Sequence, residues 1–283
     1  MKPPLVSVIV TTFNNTATLD ACLQSIAAQT YENFELVVVD NNSTDNTLEI
    51  ARRYTPNVYT KGPERSAQRN FAVEVSKGTY VFIIDSDMEL TKNVVKSCVN
   101  CIEGDPNVKA VIVPEESFGV GFWAQCKKLE RSFYVGQDAI EAARFFPKDL
   151  YQRLGGYDEK IVGGEDWHLT DRIREQGAIG RVNQYIMHNE GHFTLRTAMR
   201  KKFYYVQGFM TFYDNAKEKK QSDRKSPASS ALYYYKLYLS KPGKLFKNPF
   251  YGFGVLVLKT AEFAAAAFGL IAAKLKKPKP TNA

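Results

Sequence analysis

Short apolar runs alternate with amphipathic stretches over the amino-terminal part of the chain. The apolar runs are rich in β-branched and aromatic residues and predict strands buried on both faces, at residues 5–11, 34–39 and 80–84, with a shorter strand at 58–59. Between them, apolar residues at helical spacing predict helices over residues 16–28, 45–54 and 66–76. This alternation with short links predicts parallel strands joined by right-handed crossovers. The first strand is not followed by Gly-x-Gly-x-x-Gly, which argues against a dinucleotide-binding dehydrogenase.

The pattern is looser after residue 87. It predicts helices over residues 91–103, 121–134, 147–154, 165–175 and 194–215, and strands over residues 108–113, 143–146 and 181–187. Residues 217–230 are polar and predict a mobile link. We therefore expect one α/β domain over residues 1–215 and a basic, apolar helical appendage over residues 216–283.

The net charge of +8 is unevenly distributed along the chain. Residues 196–247 carry 13 Lys or Arg against three acids, so the basic character belongs to the carboxyl-terminal region. Such asymmetry suggests an anionic lipid, a nucleic acid or a phosphate-bearing ligand, or simply a solvated face. The four cysteines are too few for a disulfide scaffold, and the first residues enter a strand without a cleavable signal. We therefore expect a cytoplasmic protein.

The strand predicted at residues 80–84 leads directly into two aspartates, Asp85 and Asp87. Open α/β sheets bind their ligands at the carboxyl ends of their strands. Two carboxylates with no basic neighbour in the sequence suit a divalent cation, and a cation there suits a substrate that carries phosphates. The alternative is a turn in which both aspartates only cap backbone groups.

The chain contains a series of motifs in order, VSVIVTTFNN, VVVDNNSTDNT, RSAQRNFAVEVSKGTYVFIIDSD and GGYDEKIVGGEDWHLTDRIREQG. Together they resemble the family 2 glycosyltransferases over roughly residues 5–195. The resemblance implies the α/β GT-A fold, with a Rossmann-like nucleotide-binding half and a mixed central sheet. In this chain we expect a carboxyl-terminal helical, membrane-associating appendage in addition. The resemblance also implies an enzyme that transfers a sugar from a nucleotide-sugar donor.

In such enzymes the ends of the first strands hold the donor. The resemblance assigns donor binding to Thr11, Phe13, Asn15, Asp40, Arg69, Asn70, Asp85 and Ser86. Phe13 would stack on the base, and Asp40 would accept a hydrogen bond from it. Arg69 would bond two phosphate oxygens at once, with Arg65 as the fallback. The alternatives are a core role for Phe13, a turn role for Asp40 and a surface position for Arg69.

The metal-binding acids of the family correspond to Asp85 and Asp87, with Ser86 as the spacer between them. They would hold Mn²⁺ or Mg²⁺ against the donor diphosphate. Some members of the family supply a further histidine ligand beyond the catalytic base. His188 fits that distance, and His192 is the second choice. The alternative is a solvent-facing or core histidine.

Glu165 and Asp166 lie where a predicted helix begins, and a helix N-terminus stabilises negative charge. The resemblance makes Asp166 the general base that takes the proton of an acceptor hydroxyl, with Glu165 steadying it or touching the acceptor. A single displacement by that hydroxyl would invert the anomeric centre. Ordinary capping of the helix by two acids is the alternative.

Residues 248–275 are strongly apolar, and the stretch from 253 to 273 is about the length of a membrane span. Lys259 and Glu262 interrupt it, and isolated ions are costly inside a bilayer. We therefore expect a helix that lies in the membrane surface, with nearby lysines on anionic headgroups and an interfacial belt of tyrosines at positions 233, 234, 235 and 238. The alternative is an amphipathic helix packed on the body of the protein or in a dimer, which leaves an oligomer open.

The sequence therefore predicts an inverting, metal-dependent transferase that moves a sugar from a nucleotide-sugar, with UDP-sugars favoured, to a hydroxyl acceptor such as a lipid-linked glycan. It would be attached peripherally to the inner face of the membrane. The alternative is a non-catalytic module of the same fold that binds nucleotide-sugars or membranes. Nucleic acid is not an expected partner, because the chain has no recognition motif and its nucleotide-like features lie away from the basic region.

Overall fold

A computed structural model describes residues 2–218 and 230–276 of the chain. The chain divides into two compact units. The first comprises Met1–Ser117, Val135–Glu159 and Glu165–Asn189, and the second comprises Phe118–Tyr134, Lys160–Gly164 and Glu190–Ala283. Each unit is therefore assembled from segments that are not contiguous in the sequence.

The first unit is built on a seven-stranded sheet. Its strands are β1 (Val6–Thr12), β2 (Phe34–Asp40), β3 (Val58–Thr60), β4 (Tyr80–Asp85), β6 (Val108–Ile112), β8 (Phe145–Pro147) and β9 (Ala178–Arg181), in the order β3-β2-β1-β4-β8-β6-β9. β1 pairs in parallel with β2 and β4, with Val8 opposite Leu36 on one side and Phe82 on the other. β8 runs antiparallel to both β4 and β6. The predicted α/β fold with a mixed central sheet is confirmed.

Helices cover both faces of this sheet. They are α1 (Leu19–Ala27), α2 (Thr47–Arg52), α3 (Arg65–Val75), α4 (Val94–Gly104), α6 (Lys148–Arg153) and α7 (Glu165–Arg174). Successive strand residues point to opposite faces. Val8 therefore belongs to the core cluster that contains Leu23 of α1, whereas Ile9 belongs to the cluster that contains Leu169 of α7. Because both faces are buried, these strands are continuously apolar in the sequence.

A smaller sheet contains β5 (Met88–Leu90), β10 (Ile186–His192) and β7 (Glu115–Val120), in that order. β10 is antiparallel to β5, and His188 lies opposite Met88. The sequence pattern missed β5 and β7, because one is very short and the other is largely polar. It also merged two strands over residues 181–187, since the apolar pattern continues while the chain leaves β9 in the large sheet and enters β10 in the small one.

The second unit is mainly helical in the described residues. Its helices are α5 (Phe122–Ser132), α8 (Leu195–Glu218), α9 (Ala231–Leu239), α10 (Pro242–Leu245) and α11 (Pro249–Lys276). α11 packs against α8 and α5. α8 runs without a break through residues 215 and 216, so the domain boundary expected there remains a prediction. The link expected over residues 217–230 falls largely outside the described residues.

The two charges of α11 face the interior of the second unit. Lys259 and Glu262 are each 4 % exposed. Lys259 Nζ donates to Glu262 Oε2 at 2.6 Å and also pairs with Glu130, whose side chain is fully buried. Lys127 completes this ion cluster, at 2.8 Å from Glu130 and 3.3 Å from Glu262. The charges that interrupt the apolar stretch are therefore paired inside the protein.

Two of the tyrosines expected at a membrane interface are interior residues. Tyr234 is 8 % exposed and Tyr238 is 0 % exposed. The hydroxyl of Tyr238 donates to Oε1 of Glu130 at 3.1 Å, and the ring of Tyr234 lies 4.6 Å from the ammonium of Lys259. The prediction that these two residues form an interfacial belt is wrong, because they enclose the buried ion cluster instead.

Candidate active site

The candidate site lies within the first unit, where β1, β2 and β4 end and α7 begins. Asp85 is the last residue of β4, and Glu165 and Asp166 are the first two residues of α7. Parallel strands bring their carboxyl ends to one edge of a sheet, and the first turn of a helix favours acidic side chains. Acids that are far apart in the sequence therefore meet at one place.

A single guanidinium group joins these acids. Nη2 of Arg69 donates to Oδ1 of Asp85 at 2.7 Å. Nη1 donates to Oδ1 of Asp166 at 2.9 Å and to Oε1 of Glu165 at 3.3 Å. The side chain of Arg69 is fully buried, and its Cζ lies 5.1 Å from the centroid of the Tyr157 ring. The predicted metal-binding acid and the predicted base are therefore held within the span of one side chain.

Neighbouring opposite charges keep Asp85 and Arg69 ionised. Burial raises the pKa of Asp85, but the guanidinium groups of Arg69 and Arg144 outweigh burial and hold that pKa well below its usual range. Burial lowers the pKa of Arg69, but the charges of Asp166 and Asp85 outweigh it and raise that pKa well above its usual value. Asp85 and Arg69 are therefore both charged at neutral pH.

Arg69 was expected to bind donor phosphates, and here its terminal nitrogens all contact carboxylates. Its Nε is buried without a hydrogen-bond partner among the described residues. Arg65, the fallback, is 39 % exposed and lies 3.2 Å from Oε1 of Glu165. Of the two arginines, Arg65 is the one whose side chain is open to a ligand, and the phosphate role of Arg69 stays a prediction.

The second aspartate of the motif points to a histidine. Oδ2 of Asp87 lies 3.3 Å from Nε2 of His188, and Nδ1 of the same ring lies 3.5 Å from Oε2 of Glu115. The neighbouring ligands of an octahedral ion at metal–ligand distances of 2.0–2.1 Å are about 3 Å apart, close to the separation of Asp87 and His188. A carboxylate behind the second ring nitrogen is the usual support of a metal-binding histidine. His192, the second choice, is exposed at the end of β10.

Among the described residues, no group of three or more His, Cys, Asp or Glu side chains is arranged to hold a metal ion. Asp85, the third predicted ligand, is turned toward Arg69 and Arg144. A partial protein shell nevertheless fits Mg²⁺, which proteins bind through one or two carboxylates together with substrate phosphates. Asp87 and His188 therefore fit as two protein ligands of such an ion, which would take its remaining ligands from a bound substrate.

Two residues at this end of the site were missed by the sequence analysis. Nε of Arg144 donates to Oε1 of Glu115 at 3.0 Å, and its Nη1 lies 3.5 Å from Oδ2 of Asp85. Arg144 directly precedes β8, between the buried residues Ala143 and Phe145. That position was the available signal, because a charged residue between two buried apolar residues must find a partner. Its partners are distant in the sequence and could not be named from it.

The residues expected to bind the nucleotide are held by hydrogen bonds within the protein. Both carboxylate oxygens of Asp40 accept from Ser43, from its backbone nitrogen at 2.7 Å and from its hydroxyl at 2.5 Å. Nδ2 of Asn15 donates to Oγ of Ser86 at 2.7 Å. Phe13 is 56 % exposed, whereas the hydroxyl of Thr11 is buried without a partner among the described residues. Asp40 thus stabilises the turn after β2, its expected hydrogen bond to the base stays a prediction, and Phe13 is not a core residue.

Asn70 holds the loop before α7. Its Oδ1 accepts from the hydroxyl of Tyr151 and from the backbone nitrogen of Tyr157, the latter at 2.9 Å. Its Nδ2 donates to the carbonyl of Tyr157 at 2.9 Å and to Glu159 at 3.0 Å. Both polar atoms of the Asn70 side chain are therefore hydrogen-bonded within the protein, and its expected contact with the donor stays a prediction.

Comparison with known proteins identifies the family. A family model described as "Glycosyl transferase family 2" matches residues 7–156. A PGL/p-HBAD biosynthesis glycosyltransferase of Mycobacterium bovis is 29% identical over 198 residues, which are 66% of this chain and 75% of that protein. Glycosyltransferase AglE of Haloferax volcanii is 25% identical over 196 residues, 62% of each protein. The chain belongs to glycosyl transferase family 2 and is a glycosyltransferase.

Solved structures show the same fold at low identity. The mannosyltransferase PcManGT from Pyrobaculum calidifontis, in complex with GDP-Man and Mn²⁺, has a TM-score of 0.59 and 21% identity over 98% of this chain and 77% of that one. S. aureus TarS 1–349 in complex with UDP-GlcNAc has a TM-score of 0.53 and 19% identity over 95% of this chain and 81% of that one. The predicted GT-A fold is confirmed.

Proposed function

We propose that the protein is an inverting, metal-dependent glycosyltransferase that moves a sugar from a nucleotide-sugar, a UDP-sugar in the favoured case, to a hydroxyl acceptor. The observation that carries this proposal is that Asp85 and Asp166 lie 2.7 and 2.9 Å from two nitrogens of one guanidinium. The carboxylate of Asp85 on the donor side and the base Asp166 on the acceptor side must lie near the same anomeric carbon. Reactants held in such a geometry gain much of their rate from proximity.

Asp166 is the general base in this proposal. Its side chain is 22 % exposed while its Oδ1 accepts from Arg69, so the carboxylate is held in place and open to an acceptor. The acceptor hydroxyl oxygen attacks the anomeric carbon and its proton passes to Asp166. The bond from that carbon to the diphosphate oxygen breaks, and its electron pair leaves with the diphosphate. One such displacement inverts the anomeric configuration.

Asp87 and His188 would hold the ion in this proposal. Mn²⁺ or Mg²⁺, when bound, would neutralise the charge that develops on the leaving diphosphate. The 3.3 Å separation of Asp87 Oδ2 and His188 Nε2 and the carboxylate of Glu115 behind the ring support this assignment. Complexes of structural neighbours with GDP-Man and Mn²⁺ and with UDP-GlcNAc support a nucleotide-sugar donor.

The test compares Asp166→Asn with Asp171→Asn, an exposed aspartate on the same helix whose side chain is 59% exposed. UDP-, GDP- and dTDP-sugars are first screened with Mn²⁺ for thermal stabilisation of the protein. With the donor that stabilises it, D166N is expected to bind normally but to turn over about 10²–10⁴-fold more slowly, and D171N to behave as wild type. Near-normal turnover by D166N removes Asp166 as the base. A donor that binds but is never consumed, with any acceptor or by hydrolysis, favours the non-catalytic module.

We also propose that the protein lies on an anionic membrane surface, where a lipid-linked glycan would be its acceptor. Within the described residues, one helix, Pro249–Ala273 with mean hydropathy 1.8, is long and apolar enough to cross a bilayer on length and composition. The large exposed side chains of this helix, Phe250, Phe253, Phe268 and Ile271, share one face at helical spacing, opposite Lys259 and Glu262. Because those two charges are paired inside the protein, surface attachment by the outer face is favoured over a crossing.

Flotation with vesicles that contain an anionic phospholipid tests the attachment. Phe253→Ser together with Phe268→Ser is expected to abolish binding, since both side chains are about two-thirds exposed, at 66 and 67%. Phe13→Ser, an exposed phenylalanine in the first unit, serves as the control and should leave flotation unchanged. Equal flotation of all variants, or a wild-type protein that does not float, contradicts the proposal.

A further inference from the structure

Trp167 is an exposed aromatic residue beside the proposed base. It follows Asp166 directly in α7 and is 37% exposed. Its indole Nε1 donates to the carbonyl of Ile140 at 2.6 Å. An indole has no other polar atom, so the part of the ring that stays open to solvent is carbon surface. The proposed chemistry gives this surface no role, although it adjoins the residue that an acceptor hydroxyl must reach.

The loop that holds the indole is itself fixed. Residues 136–144 form an irregular loop before β8. Arg181 of β9 pairs with Glu141 and with Asp138, the latter at 2.8 Å. Arg174 of α7 donates to the carbonyl of Asp138 at 2.9 Å. Because the loop is tied to two neighbouring elements, the indole is held in a defined orientation, and a ring fixed in advance loses little freedom when a ligand packs on it.

The same loop ends at the edge of the sheet where the candidate site lies. Phe145 of β8 is antiparallel to Phe82 of β4, and the backbone nitrogen of Ile83 donates to the carbonyl of Arg144 at 2.9 Å. The residues before Phe145 therefore run beside the end of β4, whose last residue is Asp85. β8 and β1 lie on opposite sides of β4. The loop is thus on one side of β4, and the residues expected to bind the nucleotide, at the ends of β1 and β2, are on the other.

This division matches the geometry of the proposed reaction. In a displacement with inversion, the attacking oxygen and the leaving group lie on opposite faces of the sugar ring. A nucleotide at the ends of β1 and β2 puts the leaving diphosphate on that side of β4, so the acceptor approaches from the side of β8. Asp166 is joined through Arg69 to Asp85, at the end of the strand between the two sides. Trp167, bonded to the loop before β8, is therefore on the acceptor side of the base.

The chemistry of the exposed indole selects one kind of acceptor. A pyranose ring carries its hydroxyl groups around its edge and C–H groups on its faces. One face can therefore pack on an aromatic ring while the hydroxyl groups stay free to react or to bind water. An indole offers a large, rigid surface for such a contact at a low cost in conformational entropy. A lipid alcohol or a serine side chain has no comparable flat face.

We propose that Trp167 is the acceptor platform, on which the terminal sugar ring of a glycoside acceptor packs so that its hydroxyl is oriented toward Asp166. The acceptor is then the end of a glycan, and not a bare lipid alcohol or a protein hydroxyl. The role of Asp166 as the base, on which this proposal rests, belongs to the proposed function, whereas binding of a glycoside by the indole is measurable without turnover.

The first test follows the indole N–H signals in ¹H–¹⁵N nuclear magnetic resonance spectra. The chain has two tryptophans, so Trp167→Phe assigns the signal and Trp123 is the internal control. With UDP or GDP present, the probes are the methyl glycosides of glucose, galactose, mannose and N-acetylglucosamine, and sorbitol and hexanol are the ligands without a sugar ring. At least one glycoside is expected to shift the Trp167 signal and not the Trp123 signal. No shift with any glycoside, or an equal shift with sorbitol or hexanol, overturns the proposal whatever the protein's activity.

The second test is the KM for the acceptor, measured with the donor that stabilises the protein and the glycoside that shifts the signal. Trp167→Leu removes the aromatic ring and is expected to raise the acceptor KM about 10-fold, with the donor KM unchanged, whereas Trp167→Phe keeps a ring and should lose less. Trp123→Leu is the matched control, and the melting temperature shows that each variant is folded. An unchanged acceptor KM in W167L overturns the platform alone. A wild type whose Trp167 signal shifts but that never consumes a donor overturns the transferase function and leaves the glycoside-binding surface in place.

Discussion

Replacing Arg69 by methionine removes the guanidinium that joins Asp85, Asp166 and Glu165 while keeping most of the apolar stem. Taking one partner out of a buried ion pair costs about 3–5 kcal/mol, because the remaining charge stays buried without compensation. The three carboxylates are 17%, 22% and 5% exposed, so water can relieve part of the loss. We therefore expect R69M to lower the free energy of unfolding by about 3 kcal/mol, the lower end of that range.

The matched control is Arg153→Met. Arg153 pairs with Asp149 one helical turn away, and both side chains are 67% exposed. Exposed pairs contribute about 0–1 kcal/mol, so R153M should be nearly neutral. Urea unfolding followed by circular dichroism measures both variants at pH 7. If R69M loses no more free energy of unfolding than R153M, the charge of Arg69 does not stabilise the buried cluster and the reasoning is refuted.

The pH dependence of the free energy of unfolding provides a second test of the same substitution. Arg69 and Arg144 hold the folded-state pKa of Asp85 well below its usual range. A carboxyl with a depressed pKa contributes stability that is fully present above its unfolded pKa, about 3.9, and that is lost as the pH falls toward the folded value. The difference in the free energy of unfolding between wild type and R69M should therefore be largest near neutral pH and should decrease below about pH 4. A gap that is constant from neutral to acid pH would show that lost packing, and not lost charge, destabilises R69M.

Three further substitutions test other parts of the structure. Lys259→Met should cost about 3–5 kcal/mol in urea unfolding, because Glu130 loses a partner in the buried ion cluster, whereas the exposed Lys236→Met should cost little. Asp87→Ala should abolish the Mn²⁺-dependent gain in calorimetric affinity for a nucleoside diphosphate, and an unchanged gain would count against the metal site. Gly252→Ala should lower the melting temperature, since a Cβ there would collide with backbone, whereas Gly243→Ala, with open space around it, should not.

The large sheet was predictable because its central strands are buried on both faces. β1, β2 and β4 are continuous apolar runs, and the same burial places Asp85 at a strand end where ligands bind. The position of Asp166 in the first turn of α7 was predictable because acids at the start of a helix are a local signal, whereas its role as the base is implied by the family resemblance and stays a prediction. The antiparallel β8 was found as a strand, but its direction depends on pairing with two distant strands and not on its own residues.

The missed features are pairings between residues that are far apart in the sequence. Arg144 and Glu115 are 29 positions apart, and Arg69 and Asp166 are 97 positions apart. Periodicity reports which side of an element is buried, but it does not report which charge meets which. The same limit applies to α11, where Lys259 and Glu262 were interpreted as interruptions of an apolar surface. Instead Lys259 pairs with Glu130 from α5, and Glu262 pairs with Lys259 and with Lys127 from α5.

The ion-pair chain, defined as Asp166, Arg69, Asp85, Arg144 and Glu115, is poorly explained by stability alone. Replacing a buried ion pair with apolar side chains of similar volume is often neutral or stabilising, so a fold selected only for its core would have no need of alternating acids and arginines from Asp166 to Glu115. What an apolar replacement could not do is hold carboxylates ionised at fixed separations beside a substrate that carries phosphates. Removing Arg69 and all its acidic partners together, in favour of apolar residues, should therefore restore much of the stability lost in R69M and restore none of the sugar transfer. Recovery of activity in such a variant would show that the charges serve the fold and not the reaction.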